Sequence, residues 1–421
     1  MIRWRREICQ EGLMTVSCEP RGEAILYVAS RLPELSETFV YRELLGLRRL
    51  GRTVLGASIR EPRQVVGDAS TESLAREMII VYNLRTAVTL PAAAVRHPSH
   101  FTRAMSDALS ADHKDLKGRL KHLLQAWMGI GLGWRLRTRG IGHVHAHMAH
   151  VPATVGLYAA RVLGANFSFT GHAADLFVDR SALRFKLGEA NFVASISRWH
   201  QQFYRETAGL GLDQTPIIRC SAALPSEQRQ RNTEVVTVAR LVPKKGIDLL
   251  IRAFAQASLP GWGLRIIGDG PERAKLELLV DEIGVRALVQ FEGARPHAAC
   301  LEAIAGAGMF VLPCRTAANG DKDGIPVVLM EAMAAARPVI CGDLPTIREL
   351  VTNERTGLLV HPNEVDALVD AMARIANDGN FAGSLGANAR TLIQTEFSDE
   401  INLARLCAAI DRTKADHDCT G

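Results

Sequence analysis

The sequence predicts an α/β protein with two doubly wound parallel-sheet domains in tandem, and three observations predict it. Short, continuous apolar runs of strand length alternate with longer segments whose apolar residues recur at i, i+3, i+4 and i+7, as expected for strands covered on both faces by helices. This alternation occurs on either side of a polar, aperiodic stretch at 221–233 (SAALPSEQRQRNT) that suits a linker. The 421 residues allow two or three domains, and 47% hydrophobic with 23% charged residues excludes disorder, collagen and coiled coil.

Taken in order, AILYVA at 24–29 reads as a buried strand, followed by a helix through Val40, Leu44, Leu47 and Leu50 that Gly51 stops. A second strand covers 53–59, and residues 60–115 are weakly patterned. A short strand is predicted at 143–147, then a helix opened by Pro152 and closed by Gly164. Strands at 167–170 and 191–197 complete the first half. The second half is more regular. A strand at 235–239 leads to a helix with Ile247, Leu250, Ile251 and Phe254 on one face; a strand at 264–267 leads to one with Leu276, Leu279, Val280 and Ile283. Strands near 288–291, 309–312, 339–341 and 357–360 alternate with further helices. The expected division is an N-terminal domain at 1–220 with 1–22 poorly ordered, a C-terminal domain at 221–390, and a helical segment at 391–421 packing back on the first domain. Ligands of such sheets bind beyond the carboxyl ends of the strands, here in a deep cleft between the domains.

The formal charge of +5 is unevenly spread: +9 through Thr215 and −4 beyond it. The basic half suggests an anionic partner, a membrane surface or nucleic acid; the plainer reading is scattered solvated charge. No nucleic-acid motif is recognisable, so nucleic acid is not an expected partner. Eight cysteines without a CxxC pair read as reduced thiols of a cytoplasmic protein. Glu7, Gln10 and Glu11 fall where a signal peptide needs an apolar core, and no apolar run reaches the length of a spanning helix.

Two clusters carry chemistry. In VARLVPKKG (238–246), Arg240 and Lys245 bracket a strand-to-helix turn, so two cations and a helix N-terminus can converge on a phosphate or diphosphate. The alternative is two exposed basic residues capping a loop. In DKDGIPVVLMEAMAAA (321–336), Asp323 and Gly324 lie in a loop after a strand, Pro326 suits a first helical turn, and Glu331 falls inside an apolar, buried helix where a carboxylate needs a partner.

Together, Arg240, Lys245-Gly246, Gly268-Asp-Gly-Pro271, Asp323-Gly-Ile-Pro and Glu331-Ala-Met-Ala resemble family 4 of the retaining glycosyltransferases (glycosyl transferases group 1), and the likeness continues through TGLLVHP at 356–362. The N-terminal half resembles the bacterial exopolysaccharide branch, including colanic-acid-type transferases, through LSETF at 35–39, His145-Ala-His147 and FTGHAAD at 169–175. The resemblance implies a GT-B fold, two Rossmann-like domains whose cleft holds a UDP- or GDP-sugar as substrate, with no cofactor and no metal. It implies that Arg240 and Lys245 neutralise the donor diphosphate and that Glu331 bonds the ribose. Asp323 stands where a glutamate is usual near the sugar hydroxyls, and His172 lies beside the reaction centre. Gly268, Gly324, Ile325, Pro326 and Val327 join the donor site, while Ser36, Glu37, Thr38, His147 and Asp175 belong to the acceptor side. Cys220-Ser-Ala-Ala replaces an Asn-Gly-Val-Asp-like turn, and Thr346 a common glycine. The implied activity is retaining transfer to a lipid-linked polysaccharide precursor, at the inner face of the plasma membrane. An inverting enzyme of the same fold is the near alternative. A glycosidase would use Asp323 and Glu331 as its carboxylate pair; a non-catalytic binding relic is another reading. A Rossmann oxidoreductase lacks the full glycine fingerprint.

His143, His145 and His147 share one strand face, as metal ligands must, but no Cys or carboxylate accompanies them in sequence, and a polar strand end lining the cleft is the expected reading. Residues 114–139 carry basic flanks, Trp127, Trp134 and an apolar centre at 123–130. That pattern suits either a helix lying on an anionic bilayer or an ordinary core helix.

Overall fold

The computed structural model describes residues 23–34, 37–62, 69–113, 115–172, 174–177 and 180–418. The expected disorder of 1–22, and Ser36 and Lys114, lie outside them. Two six-stranded parallel sheets are present. The first contains β1 (Ala24–Ala29), β2 (Val54–Ser58), β3 (Ile79–Ile80), β4 (Ile141–His147), β5 (Asn166–Thr170) and β6 (Phe192–Ala194), in the order β3-β2-β1-β4-β5-β6. The second contains β7 (Glu234–Val238), β8 (Gly263–Ile267), β9 (Val289–Gly293), β10 (Met309–Leu312), β11 (Val339–Gly342) and β12 (Leu358–Val360), in the order β12-β11-β10-β7-β8-β9. Both windings reverse direction next to their first strand, so crevices open beyond β1/β4 and β7/β10. The loops bearing the conspicuous motifs leave these sheets near those points.

The second sheet has its own core, in which Val235, Ile266, Phe310 and Ile340 pack with Met330. The first sheet buries one face under the helix Val151–Leu163. Its other face lies against the helix Thr38–Arg49, where Leu44 and Leu47 meet Leu403, Leu406 and Ile410 of the last helix, Asp399–Asp418. That last helix therefore completes the N-terminal core. Arg42 grips both Asp399 oxygens at 2.9 Å, and the Asn166 side-chain amide donates to the Thr413 carbonyl at 3.2 Å.

The weakly patterned region holds the helix Ala69–Glu77, the two-residue β3 and three further helices, Leu84–Ala87, Leu90–Arg96 and Pro98–Ser110, that lead to the long helix Leu116–Leu136. Within the apolar centre of the long helix, Ala126, Met128, Gly129 and Ile130 are core while Leu124 is exposed, which corrects the bilayer reading for the C-terminal part of that stretch. Gly129 and Gly133, one turn apart, let it press on the helix Val151–Leu163. A Cβ at Gly129 would meet the Val155 carbonyl and lie 2.9 Å from Tyr158 Cβ, and one at Gly133 would lie 2.8 Å from the Ala159 carbonyl. Only the N-terminal half of the helix is left to solvent. No described helix is long and apolar enough to cross a membrane.

Candidate active site

On the C-terminal side, the turn after β7 runs through Arg240 into the short helix Pro243–Lys245. Arg240 is exposed, and no described residue forms an ion pair with it. Lys245 is half-buried, with its ammonium 2.7 Å from Asp323 Oδ2. Lys244 lies 3.4 Å from Asp323 Oδ1 and 3.1 Å from Asp321, and the Cys314 thiol donates to Asp323 at 3.1 Å. Burial opposes both charges. Asp323 outweighs it at Lys245 and raises that ammonium's pKa above its ordinary value, while Lys245 and Lys244 hold the Asp323 carboxyl below its own. The pair is therefore ionised, and it sits at the mouth of β10. Gly268 has φ +133°, and a Cβ there would collide with the Ala239 carbonyl, so its place in the motif is explained by the backbone of the 239–241 turn lying against it.

Glu331 lies on the helix Val327–Ala334, with Pro326 extended at its N-cap position and not in its first turn. Its Oε1 is 2.8 Å from His297 Nε2, which supplies the partner that a buried carboxylate requires. Ile325 is buried beside this helix start, and Val327 is half-buried.

On the N-terminal side, His172 follows β5. Its Nε2 is 3.2 Å from His147 Nδ1, and its Nδ1 is 3.8 Å from Cys220 Sγ. Its carbonyl accepts from His200 Nε2 at 3.0 Å, and the Phe39 ring packs 4.5 Å from its own. Burial, with His147 adding, holds the His172 pKa far below the ordinary range, so the ring is neutral at pH 7. Asp175, expected on the acceptor side, is buried; its carboxylate accepts from the backbone N–H of Ala149 at 2.7 Å and of His172 at 3.1 Å. It positions the loop and presents no free surface. Thr38 opens its helix and is buried. Glu37 precedes it with its Oε2 buried and without a hydrogen-bond partner among the described residues. Burial, then Glu34 and Asp175, raise its pKa to about 7.

The histidine strand departs from expectation. His143 and His145 are fully buried within the domain and do not line the cleft: Ser168 Oγ lies 2.7 Å from a nitrogen of each, and Thr170 3.0 Å from His145 Nε2. Only His147 reaches the His172 loop. A carboxylate does accompany them, Glu43, 2.9 Å from His147 Nε2 and accepting from the Tyr27 hydroxyl. Potential ligand atoms of Glu43, His145 and His147 lie within 4.8 Å of one another, but hydrogen bonds already engage them. Glu43 shares a helix face with Phe39, one turn away, and that spacing was the available sequence signal.

The two sides touch. A Cβ at Gly324 would come 2.7 Å from the His172 carbonyl, so only glycine lets the Asp323 loop approach this closely. Thr346 Oγ1 donates to the Asp323 carbonyl at 2.9 Å. Glu349 accepts from the N–H groups of Arg198 at 2.9 Å and Trp199 at 3.0 Å, and pairs with Arg219 at 3.0 Å. Lys322 lies 5.6 Å over the Trp199 ring. Thus Lys245, Asp323, Gly324, His172 and His147 form one continuous constellation across the cleft; Glu331 with His297, and Arg240, stand outside its direct contacts. Sequence reasoning missed Lys244, Cys314, Glu43, His200, His297 and Glu349.

A family description, glycosyl transferases group 1, matches residues 225–392. The GDP-mannose-dependent alpha-(1-6)-phosphatidylinositol monomannoside mannosyltransferase of Mycobacterium tuberculosis is 32% identical over 266 residues, covering 59% of this chain and 69% of that one. The amylovoran biosynthesis glycosyltransferase AmsK of Erwinia amylovora is 31% identical over 180 residues, covering 42% and 44%. An exopolysaccharide phosphotransferase of Streptomyces coelicolor is 36% identical over 174 residues, 40% of this chain but 18% of that one, so the chain spans only a fraction of this relative's length. The fold is similar to that of Anabaena HepE, solved with UDP-glucose, at TM-score 0.67 and 17% identity over 94% of this chain and 100% of that one.

Proposed function

This chain belongs to the glycosyl transferases group 1 family, and from that premise we propose that it transfers a sugar, with retention, from a UDP- or GDP-sugar to a lipid-linked precursor of a bacterial exopolysaccharide. The observation that carries the reading is the ionised Lys245–Asp323 pair, closed against His172 of the other domain through Gly324. Sugar transfer develops positive charge at the anomeric carbon and negative charge on the departing diphosphate. Cations fixed before the reaction stabilise the latter without reorganising. Lys245 is fixed by Asp323, Lys244 lies beside it, and exposed Arg240 is free to meet the outer phosphate. His172, neutral at pH 7, serves as a hydrogen-bond partner for the sugar and not as an acid. Glu331 is assigned to the ribose, with His297 orienting its carboxylate.

A glycosidase reading needs an acid with a raised pKa. Asp323 is held ionised and capped by a lysine, the opposite of that requirement. The test is a thermal-shift screen against nucleotide sugars followed by transfer assays with the best ligand. Stabilisation by a nucleotide diphosphate sugar and turnover with a polyprenyl-linked saccharide are expected; a protein stabilised by no nucleotide at all overturns the reading.

A further inference from the structure

Large apolar side chains exposed to solvent are concentrated in one place. Among the described residues, eight of the eleven lie between 84 and 124. Leu116, Leu120 and Leu124 are 54–70% exposed and stand one helical turn apart on the long helix Leu116–Leu136. On the neighbouring helix Pro98–Ser110, Met105 and Leu109 are 54% and 64% exposed.

The two rows face solvent together. The Phe101 and Trp127 rings, 6.2 Å apart, set the helices side by side. From Phe101, Met105 and Leu109 follow at i+4 and i+8; from Trp127, Leu124, Leu120 and Leu116 lie at i−3, i−7 and i−11, so both rows run outward along the same seam. Leu84, Val88 and Val95, also exposed, lie on and between the two short helices. Those helices pack on the far half of the long helix, where Gly131 sits against Thr86 and Leu90. A patch of this extent marks an interaction site.

Charge decides the occupant. Residues 84–139 contain ten Lys or Arg and three Asp, a net +7 that accounts for most of the excess of the basic half. One of the three acids, Asp107, is taken up by Arg161 at 2.6 Å and Tyr158 at 2.7 Å. Lys117 and Lys121 run directly beside the leucine row. A second copy of the chain would set +7 against +7 in a two-fold contact. Single-stranded nucleic acid stacks on aromatic rings, whereas the exposed side chains here are leucine, valine and methionine. We propose that this helical face docks on an anionic lipid bilayer, with the leucine and methionine rows entering the headgroup boundary and the lysines meeting lipid phosphates. The proposal deepens the lipid-linked acceptor reading by naming the surface that brings the enzyme to such an acceptor, and it is tested without it.

The test is flotation of the full chain with phosphatidylcholine vesicles, with and without phosphatidylglycerol. Binding to the mixed vesicles and not to pure phosphatidylcholine is expected. Leu120→Ser/Leu124→Ser and Lys117→Gln/Lys121→Gln should each lower the bound fraction about tenfold, with unchanged melting temperature and donor turnover, since the altered side chains touch neither core nor cleft. Failure of the unaltered chain to float, or equal flotation of both variants, overturns the proposal. So does a dimer that the serine variant converts to monomer while neither form binds vesicles. A chain that floats but is stabilised by no nucleotide sugar leaves the docking face standing and removes the transferase reading instead.

Discussion

Half-buried beside the buried Asp323, Lys245 is at once half of a structural ion pair and the cation assigned to the donor diphosphate, and the two roles are separable. Lys245→Ala leaves the buried Asp323 carboxylate with Lys244 as its one cation and the Cys314 thiol as a weak donor. It is expected to lower stability by about 3 kcal/mol and transfer by about 100-fold or more, the loss of one charge-stabilising donor. Replacing both members, Lys245→Met with Asp323→Leu, should recover most of the stability in a denaturant titration and none of the turnover. Near-normal transfer by Lys245→Ala removes the assignment. Glu37 makes a second residue-level test. Its carboxyl, raised to about 7, keeps a proton in the folded chain that the unfolded chain has already released. Between pH 4.5 and 7 the folded state therefore binds more protons, and this contribution to stability declines as pH rises through that window. Glu37→Gln abolishes the dependence: at pH 8 it should be more stable than the parent by up to about 3 kcal/mol, and at pH 4.5 equal to it. Equal melting curves at both pH values would show that Glu37 titrates normally.

Among the elements, legibility followed the side chains' surroundings. Strands such as AILYVA and MFVL are covered on both faces, so their apolar runs are continuous, and eleven of the twelve were readable, ten of them within two residues at both ends. Residues 60–115 were not, because β3 has two residues and the helices after it carry leucine, valine and methionine on their solvent side, which blurs the periodicity. The constellation was legible where its members are close in sequence, as in Asp323-Gly324. It was hidden where topology joins distant elements: Glu43 meets His147 across 104 positions, and Glu349 meets Arg198 across 151. The helix Leu116–Leu136 was ambiguous because an apolar centre suits lipid and protein equally; its Gly129 and Gly133 were the discriminating signal, since glycine one turn apart serves close helix contact. Gly129→Val would drive its methyls into the Val155 carbonyl and Tyr158. It should cost about 3 kcal/mol or more through forced separation of the helices, read as a lower melting temperature. A Gly129→Val protein with an unchanged melt would mean that the two helices are not packed in this way.

For the molecule as a whole, the two domains have different electrostatic liabilities, and these should make their coupling depend on pH. Four histidines of the N-terminal domain are held neutral chiefly by burial: His200 is lowered to about 4 and His122 to about 3, with His145 and His172 well below their ordinary value. An unfolded histidine takes up its proton near pH 6.5, so between that pH and the folded values the unfolded state binds more protons and stability falls as pH falls. Glu37 acts in the opposite sense over part of the same range, but it is one group against several, His100 and His113 being lowered by burial as well, so the net is a loss of stability on acidification. Between 221 and 413 the chain has only two histidines, His297 and His361, so the loss falls chiefly on the first domain. Calorimetry at pH 8 should give transitions close together. On acidification toward pH 5.5 the N-terminal transition should move down by many degrees, while the C-terminal one, with a core of its own around Val235 and Phe310, stays nearly fixed. Because Gly324 presses on His172 and Glu349 holds the Arg198 helix, early loss of the first domain also opens the cleft, and donor affinity should decline over the same pH interval as that transition. Both transitions moving together, or donor affinity holding while the first domain melts, would show that the domains are not independently stabilised in the way their buried histidines imply.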